Sequence, residues 1–155
     1  QQLPNYTFLF TGGKPKTVAF WEDYCNGLGL KNVLFTGYLS DYRKIKYYQY
    51  SAYVLISYYT KQVHNVRYNF PNKICEYMLT GNPMVSPNYP ATQDLLTENN
   101  CTFTTPENSQ ALAKSIREII ESPVLALQKA QQAARDVREI TFKKVAARLL
   151  KQFPK

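Results

Sequence analysis

The sequence predicts an α/β fold, a parallel sheet with helices on both faces. Three observations carry that expectation. Short apolar, β-rich runs alternate with segments of helical apolar spacing along most of the chain. Each strand-like run stops at glycine or at polar residues and hands over to a helix, the order expected of repeated β-α-β units. One run, "AYVLISYY" at 52–59, is apolar throughout its first half, as a strand buried on both faces requires.

Taken in order, "YTFLFTG" (6–12) reads as a strand stopped by Gly12 and Gly13. "KTVAFWEDYCNGLGL" (16–30) places Val18, Trp21, Cys25 and Leu28 at helical spacing and ends in glycines. "NVLFTGYL" (32–39) is a second strand that breaks at Gly37, and Ser40 or Asp41 can cap a helix through about Tyr50. The third strand, 52–59, leads through the polar "TKQVHNVRYN" into a helix over 71–80. "PMVSP" (83–87) is a fourth strand, "TQDLLTEN" a short helix, and "CTFTTP" (101–106) a fifth strand. Helices follow at about 107–121, 123–138 and 140–152. Leu112, Ile116, Ile119 and Ile120 form one apolar face, and Val145, Leu149 and Leu150 another.

The 155 residues suit one domain over 1–155 with a sizeable core, and no linker, repeat or low-complexity segment divides them. Apolar content of 45% against 19% charged residues excludes a disordered chain. No run approaches membrane-span length, and "QQLPNYTFLF" lacks the basic and long apolar regions of a signal peptide. Cys25, Cys75 and Cys101 are widely spaced, so reduced, packed cysteines are expected instead of a disulfide framework or a zinc site. His64, the single histidine, offers no partner for a cysteine nucleophile. A net charge of +8 favours anionic partners, among them nucleotide phosphates, nucleic acid and acidic lipid surfaces. For any single lysine, a solvated surface is an equal explanation.

Parallel α/β sheets bind ligands at the carboxyl ends of their strands, here just after Phe10, Phe35, Ser57 and Val85. "FTGGK" has a glycine pair suited to a phosphate cradle but completes neither G-x-G-x-x-G nor a P-loop, and a tight turn explains it equally. Gly37 in "FTGYLS" either lets a ligand approach the backbone or ends a strand. The tyrosines at 42, 47, 48, 50, 53, 58 and 59 suit packing at a sheet edge or interface better than a base-stacking platform.

"NFPNKICEYMLTGNPMV" (69–85) is the most informative stretch. Asn69 or Phe70 falls at a helix N-terminus, with Pro71 suited to the first turn. Free N–H groups there present a phosphate site. Lys73 sits in that first turn, where a cation is unfavourable unless an anion offsets it. Glu76 follows one turn after Asn72, on the same face, and its carboxylate can accept both hydroxyls of a ribose. The competing reading is an i, i+3 surface pair of Lys73 and Glu76, worth about 0.2–0.5 kcal/mol.

The order of these blocks resembles the C-terminal, nucleotide-sugar-binding domain of GT-B glycosyltransferases, nearest to the retaining family 4 ("group 1") type. The resemblance runs from about residue 6 to 152, and its most specific part is "PNKICEYM" followed by "GNP". It implies a Rossmann-like sheet whose first strand is missing from this chain, as the donor half of a two-domain enzyme. A donor diphosphate would lie at Asn69, Phe70, Pro71, Asn72 and Lys73, with Glu76 on the ribose. Gly37, Tyr38 and Leu39 would hold the base, and Gly12 and Gly13 would line the cleft under the phosphates. Tyr68 stands where many family members carry a second glutamate over the donor sugar. The resemblance further implies hexosyl transfer with retention from a UDP- or GDP-sugar, without metal or other cofactor. The acceptor would be a glycan or lipid-linked molecule held by an absent N-terminal domain. It implies bacterial polysaccharide biosynthesis, in the cytoplasm or at the inner membrane face with peripheral contact, and no nucleic-acid partner. The isolated chain would then bind nucleotide but transfer nothing. A half-enzyme working with a separate partner, or a non-catalytic interaction domain on the same fold, stands as the alternative.

Overall fold

A computed structural model describes residues 2–59 and 72–141. The chain divides into two units, Gln1–Gln49 and Tyr50–Lys155. In the first, β1 (Phe8–Phe10) is followed by α1 (Pro15–Gly27), β2 (Val33–Phe35) and most of α2 (Tyr42–Ser51). In the second come β3 (Leu55–Ile56), α3 (Asn72–Thr80), β4 (Met84–Pro87), a 3-10 turn at Pro90–Thr92, β5 (Thr102–Thr104), α4 (Ser109–Glu121) and α5 (Pro123–Arg138). All pairing between these strands is parallel, in the orders β1-β2 and β3-β4-β5. The expected α/β, Rossmann-like class is what forms.

Local chemistry sets most helix starts. Pro15 and Pro123 occupy the first turns of α1 and α5, where the missing N–H has no intrahelical partner to lose. Asp41 caps α2: its Oδ1 accepts from the Arg43 backbone N–H at 2.9 Å, and the Arg43 guanidinium donates to the same carboxylate at 3.0 and 3.1 Å. Those bonds hold the Asp41 carboxyl below its ordinary pKa. Asn108 caps α4 by accepting from the Ala111 N–H at 2.9 Å.

In the unit Tyr50–Lys155 the core joins Leu55, Ile74, Met78, Met84, Leu95, Leu96, Cys101, Ala133 and Val137. Helix α3 contributes Ile74 and Met78, one turn apart and both almost fully buried. Burying side chains of this kind is worth about 1.5–3 kcal/mol each. Helix α5 buries Ala126, Ala130, Ala133 and Val137, at intervals that keep them on one face. Ala133 and Val137 of that face pack in one cluster with Ile74 and Met78 of α3, and among the described elements α3 and α5 are in extensive contact. Of the expected apolar face on α4, Ile116 and Ile119 are buried, whereas Leu112 and Ile120 are half-buried.

The expected helix at "TQDLLTEN" is replaced by the Pro90–Thr92 turn and further turns. Side chains outcompete helical bonding there. The Thr92 hydroxyl donates to the Tyr89 carbonyl at 3.0 Å, and Asn100 Oδ1 takes the Thr97 N–H at 2.8 Å. Asn100, itself buried, also donates to the Leu95 carbonyl at 2.9 Å and to Asp136 on α5 at 2.8 Å. Most residues of the expected 140–152 helix, including Val145, Leu149 and Leu150, lie outside the described residues, and Ile140 and Thr141 are not helical.

In Gln1–Gln49 helix α1 buries no residue, and Phe20, Trp21 and Tyr24 form an exposed edge-to-face series with centroids 5.2 and 5.6 Å apart. Of the tyrosines expected at a sheet edge or interface, those at 42, 47, 50 and 53 are exposed. Tyr42 lies under the Lys46 ammonium, 5.0 Å from ring centroid to Nζ.

Candidate functional site

Two groups of sequence-selected residues lie in the described structure, one in each unit. In Gln1–Gln49, the loops that follow β1 and β2 meet. The Gly12 N–H donates to the Gly37 carbonyl at 2.9 Å, forming an isolated antiparallel bridge. It also approaches Thr36 Oγ1 at 3.3 Å, while the Thr36 hydroxyl donates to the same Gly37 carbonyl at 2.9 Å. The strands are parallel and the bridge beyond them is antiparallel, so both loops turn sharply. Gly12 at φ 96 and Gly37 at φ 65 adopt left-handed conformations that make glycine the fitting residue. Space is not the reason, because a Cβ at either position would meet nothing within 4 Å. Gly13 differs: besides φ 104, an added Cβ would stand 3.1 Å from Val18 Cγ2. Tyr38, 79% exposed, projects from the joined loops, and Leu39 beside it is half-buried.

In Tyr50–Lys155, α3 opens with exposed Asn72 and half-buried Lys73, and Glu76 lies one turn on. Tyr68, Asn69, Phe70 and Pro71 lie outside the described residues. No acidic residue occupies the first turn of α3, so Lys73 stands against the positive end of the helix dipole. Its ammonium is instead placed over the ring of Tyr59, 4.1 Å from the centroid. Tyr59 lies just past β3, at the carboxyl end of the sheet where ligands bind in this class of fold. Its backbone carbonyl accepts from the Tyr89 hydroxyl. Tyr77, one turn beyond Lys73, has its phenol pKa raised by burial first and then by Tyr59 and Glu76. Lys73 and Tyr59 therefore pair at the start of α3, with part-buried Tyr77 one turn on along the helix.

Helix α3 ends as abruptly as its sequence suggests. Gly81 at φ 72 reverses the chain, the Thr80 hydroxyl donates to the Tyr77 carbonyl at 2.6 Å, and Thr80 Oγ1 accepts from the Asn82 N–H at 3.0 Å. Asn82 ties the turn to the Tyr50 carbonyl at 3.0 Å, and β4 begins at Met84.

The sequence reading did not single out Thr36, Tyr59 or Tyr89 for the site. A threonine before a strand-ending glycine and a tyrosine just after a buried strand were the only signals present. Glu107, after β5, is the one non-glycine among the described residues with a left-handed φ, 57°. A groove of about 530 Å³ also opens between the Thr97–Asn99 turn and α5, but it contains none of the selected residues. Several of its polar groups are engaged with the protein itself. Asp136 receives bonds from Asn100 and from Gln132, the latter at 2.6 Å, and the Lys129 ammonium donates to the Cys101 carbonyl at 3.3 Å.

The cysteines behave as packed thiols. Cys25 and Cys75 are half-buried, and burial pushes buried Cys101 up to about 12. Among the described residues no three histidine, cysteine, aspartate or glutamate side chains gather as a metal site would require. No described helix is long and apolar enough to cross a membrane.

Parallel strands with intervening helices give each unit the Rossmann-like α/β character of the GT-B type, and solved structures share that fold. The structure of Anabaena Alr3699/HepE in complex with UDP-glucose matches with a TM-score of 0.73 at 23% identity, covering 97% of this chain and 43% of that one. Sucrose-phosphate synthase from Thermosynechococcus elongatus matches with a TM-score of 0.73 at 21% identity, covering 92% of this chain and 36% of that one. The C-terminal domain of a glycosyl transferase group 1 family protein, LpcC of Francisella tularensis, matches at 0.71 and 18% identity, covering 87% and 69%. This chain thus spans less than half the length of the first two. No curated protein matches it. The family profile "Glycosyl transferases group 1" matches residues 1–122, and the chain belongs to that family.

Proposed function

We propose that the chain is the donor-binding part of a retaining glycosyltransferase that takes a hexosyl group from a UDP- or GDP-sugar. The observation that carries this reading is the opening of α3. A lysine stands in its first turn with no acidic residue beside it, and a glutamate follows one turn on. Family membership supports sugar transfer, and the solved HepE structures hold UDP-glucose, UDP with glucose, and UDP. On this reading the diphosphate faces the α3 N-terminus and Lys73, and Glu76 accepts the ribose hydroxyls. Backbone N–H groups at a helix start suit such an anion.

In the transfer itself, the bond from the anomeric carbon to the diphosphate breaks. A new bond forms to an acceptor hydroxyl on the same face of the sugar. The hydroxyl's proton passes to the departing phosphate, so the step needs no metal and no protein base. The acceptor, a glycan or lipid-linked molecule, would be held by a second domain, and the work would be polysaccharide assembly in a bacterial cytoplasm at the inner membrane face. On this reading the isolated chain binds donor nucleotide and does not transfer sugar.

Calorimetry with UDP, GDP and ADP tests the proposal. One nucleotide should bind the natural full-length protein, and Glu76→Ala should weaken it by about 10-fold or more, the scale of a lost charge-assisted hydrogen bond. Absence of binding by all three would return the chain to the non-catalytic alternative.

A further inference from the structure

We propose that Tyr59 is a positioning residue for Lys73, holding the lysine ammonium at the N-terminal turn of α3 for the donor diphosphate. This inference rests on the functional reading above and extends it to a residue that no sequence motif marks.

The argument begins with the lysine. A cation in the first turn of a helix opposes the helix dipole, and a long flexible side chain there would normally extend into water. Lys73 does otherwise: its Nζ is 4.1 Å from the Tyr59 ring centroid, well within cation–π range. The ring's negative face stabilises the ammonium without neutralising it, so the charge stays available to an anion. A carboxylate partner would have cancelled that charge. An aromatic face restrains the side chain and leaves the ammonium's hydrogen-bond donors to serve phosphate oxygens.

The backbone that carries the ring is itself held. The Tyr59 carbonyl accepts from the Tyr89 hydroxyl, and Tyr89 is buried beside the Pro90–Thr92 turn. Part-buried Tyr77 flanks the pair from α3, close enough for Tyr59 to raise its pKa. Tyr59 is thus fixed at its backbone from one side and bounded by α3 on the other. Confining the lysine before the ligand arrives lowers the ordering cost of binding.

The test is calorimetric titration of the natural full-length protein with UDP and, separately, with uridine, at low and at high salt. If GDP or ADP is the nucleotide that binds, it and its nucleoside replace that pair. Lys73→Met should weaken diphosphate binding about 10-fold or more, flatten its salt dependence and leave nucleoside binding unchanged. Tyr59→Leu should weaken diphosphate binding about 2- to 5-fold with the nucleoside again unaffected, and Tyr59→Phe should keep wild-type affinity because the ring face remains. In the Lys73→Met background, Tyr59→Leu should add nothing. Equal losses from Tyr59→Leu with and without Lys73 would overturn the proposal, and so would wild-type affinity in Tyr59→Leu. A wild-type protein that binds diphosphate but is indifferent to Lys73→Met would overturn it while leaving the donor-binding reading intact. A wild-type protein that binds no diphosphate overturns both.

Discussion

Replacing Ile74 by alanine probes the seam that fixes α3. Ile74 is 1% exposed, one residue from Lys73, and sits in the same cluster as Met78, Ala133 and Val137. The substitution removes three buried carbons from the contact between α3 and α5, where Ala133 has no spare side-chain length to fill the space. Core truncations of this kind cost about 2–5 kcal/mol, the transfer loss plus the residual cavity. For a chain of this size, each kcal/mol shifts the melting temperature by about 2–4 °C, so a fall of roughly 4–20 °C is expected. Urea unfolding followed by far-UV circular dichroism supplies the free energy, and an unchanged m-value would show that only stability moved. Leu125→Ala on α5 is the control: that side chain is 49% exposed, and its loss should stay within about 0.5 kcal/mol. If Ile74→Ala costs no more than Leu125→Ala, the packing argument fails.

Other outcomes are as definite. Asn108→Ala removes the α4 cap and should cost about 0.5–2 kcal/mol by the same urea assay, with Asn108→Asp largely restoring it. Gly37→Val should destabilise more than Gly37→Asn, since asparagine tolerates a left-handed φ and a β-branched side chain does not; thermal melts rank the two. The Asp41 carboxyl is held below its ordinary pKa, so its contribution is present above that value and lost as pH falls through the lowered one; Asp41→Asn should flatten that part of the acid limb. The Cys101 thiol is raised to about 12, so its contribution is full below the ordinary cysteine range and lost as pH climbs towards 12. Tyr77 and Tyr89 shift in the same direction, so Cys101→Ala should remove only part of the alkaline decline in stability.

The parts of this architecture legible in the sequence are those written locally. The strand cores at Phe8–Phe10, Val33–Phe35 and Met84–Pro87, the Asp41 cap and the Gly81 reversal each depend on a few adjacent residues. Features that depend on distant partners were not legible. The α5 stripe is mostly alanine, whose weak hydrophobicity gives little periodic signal, yet it decides how α3 packs. "TQDLLTEN" suggests a short helix, but threonine and asparagine side chains bond its backbone elsewhere. At the site, Gly12 and Gly37 were named for separate reasons, and only the fold shows that they bond each other. The placement of Asn72, Lys73 and Glu76 on one helix was legible because adjacent residues set it. Tyr59 was not, because its contact with Lys73 spans a long connection.

The bond between Gly12 and Gly37 also bears on how the two loops can be re-engineered. The loops after two different strands are joined by this bond, so a graft that replaces residues 36–39 alone would leave its mate shaped for a vanished neighbour. A transplant of these loops should carry residues 11–13 and 36–39 as a matched set. Chimeras exchanging one segment without the other then become the direct measure of how tightly the bond couples them.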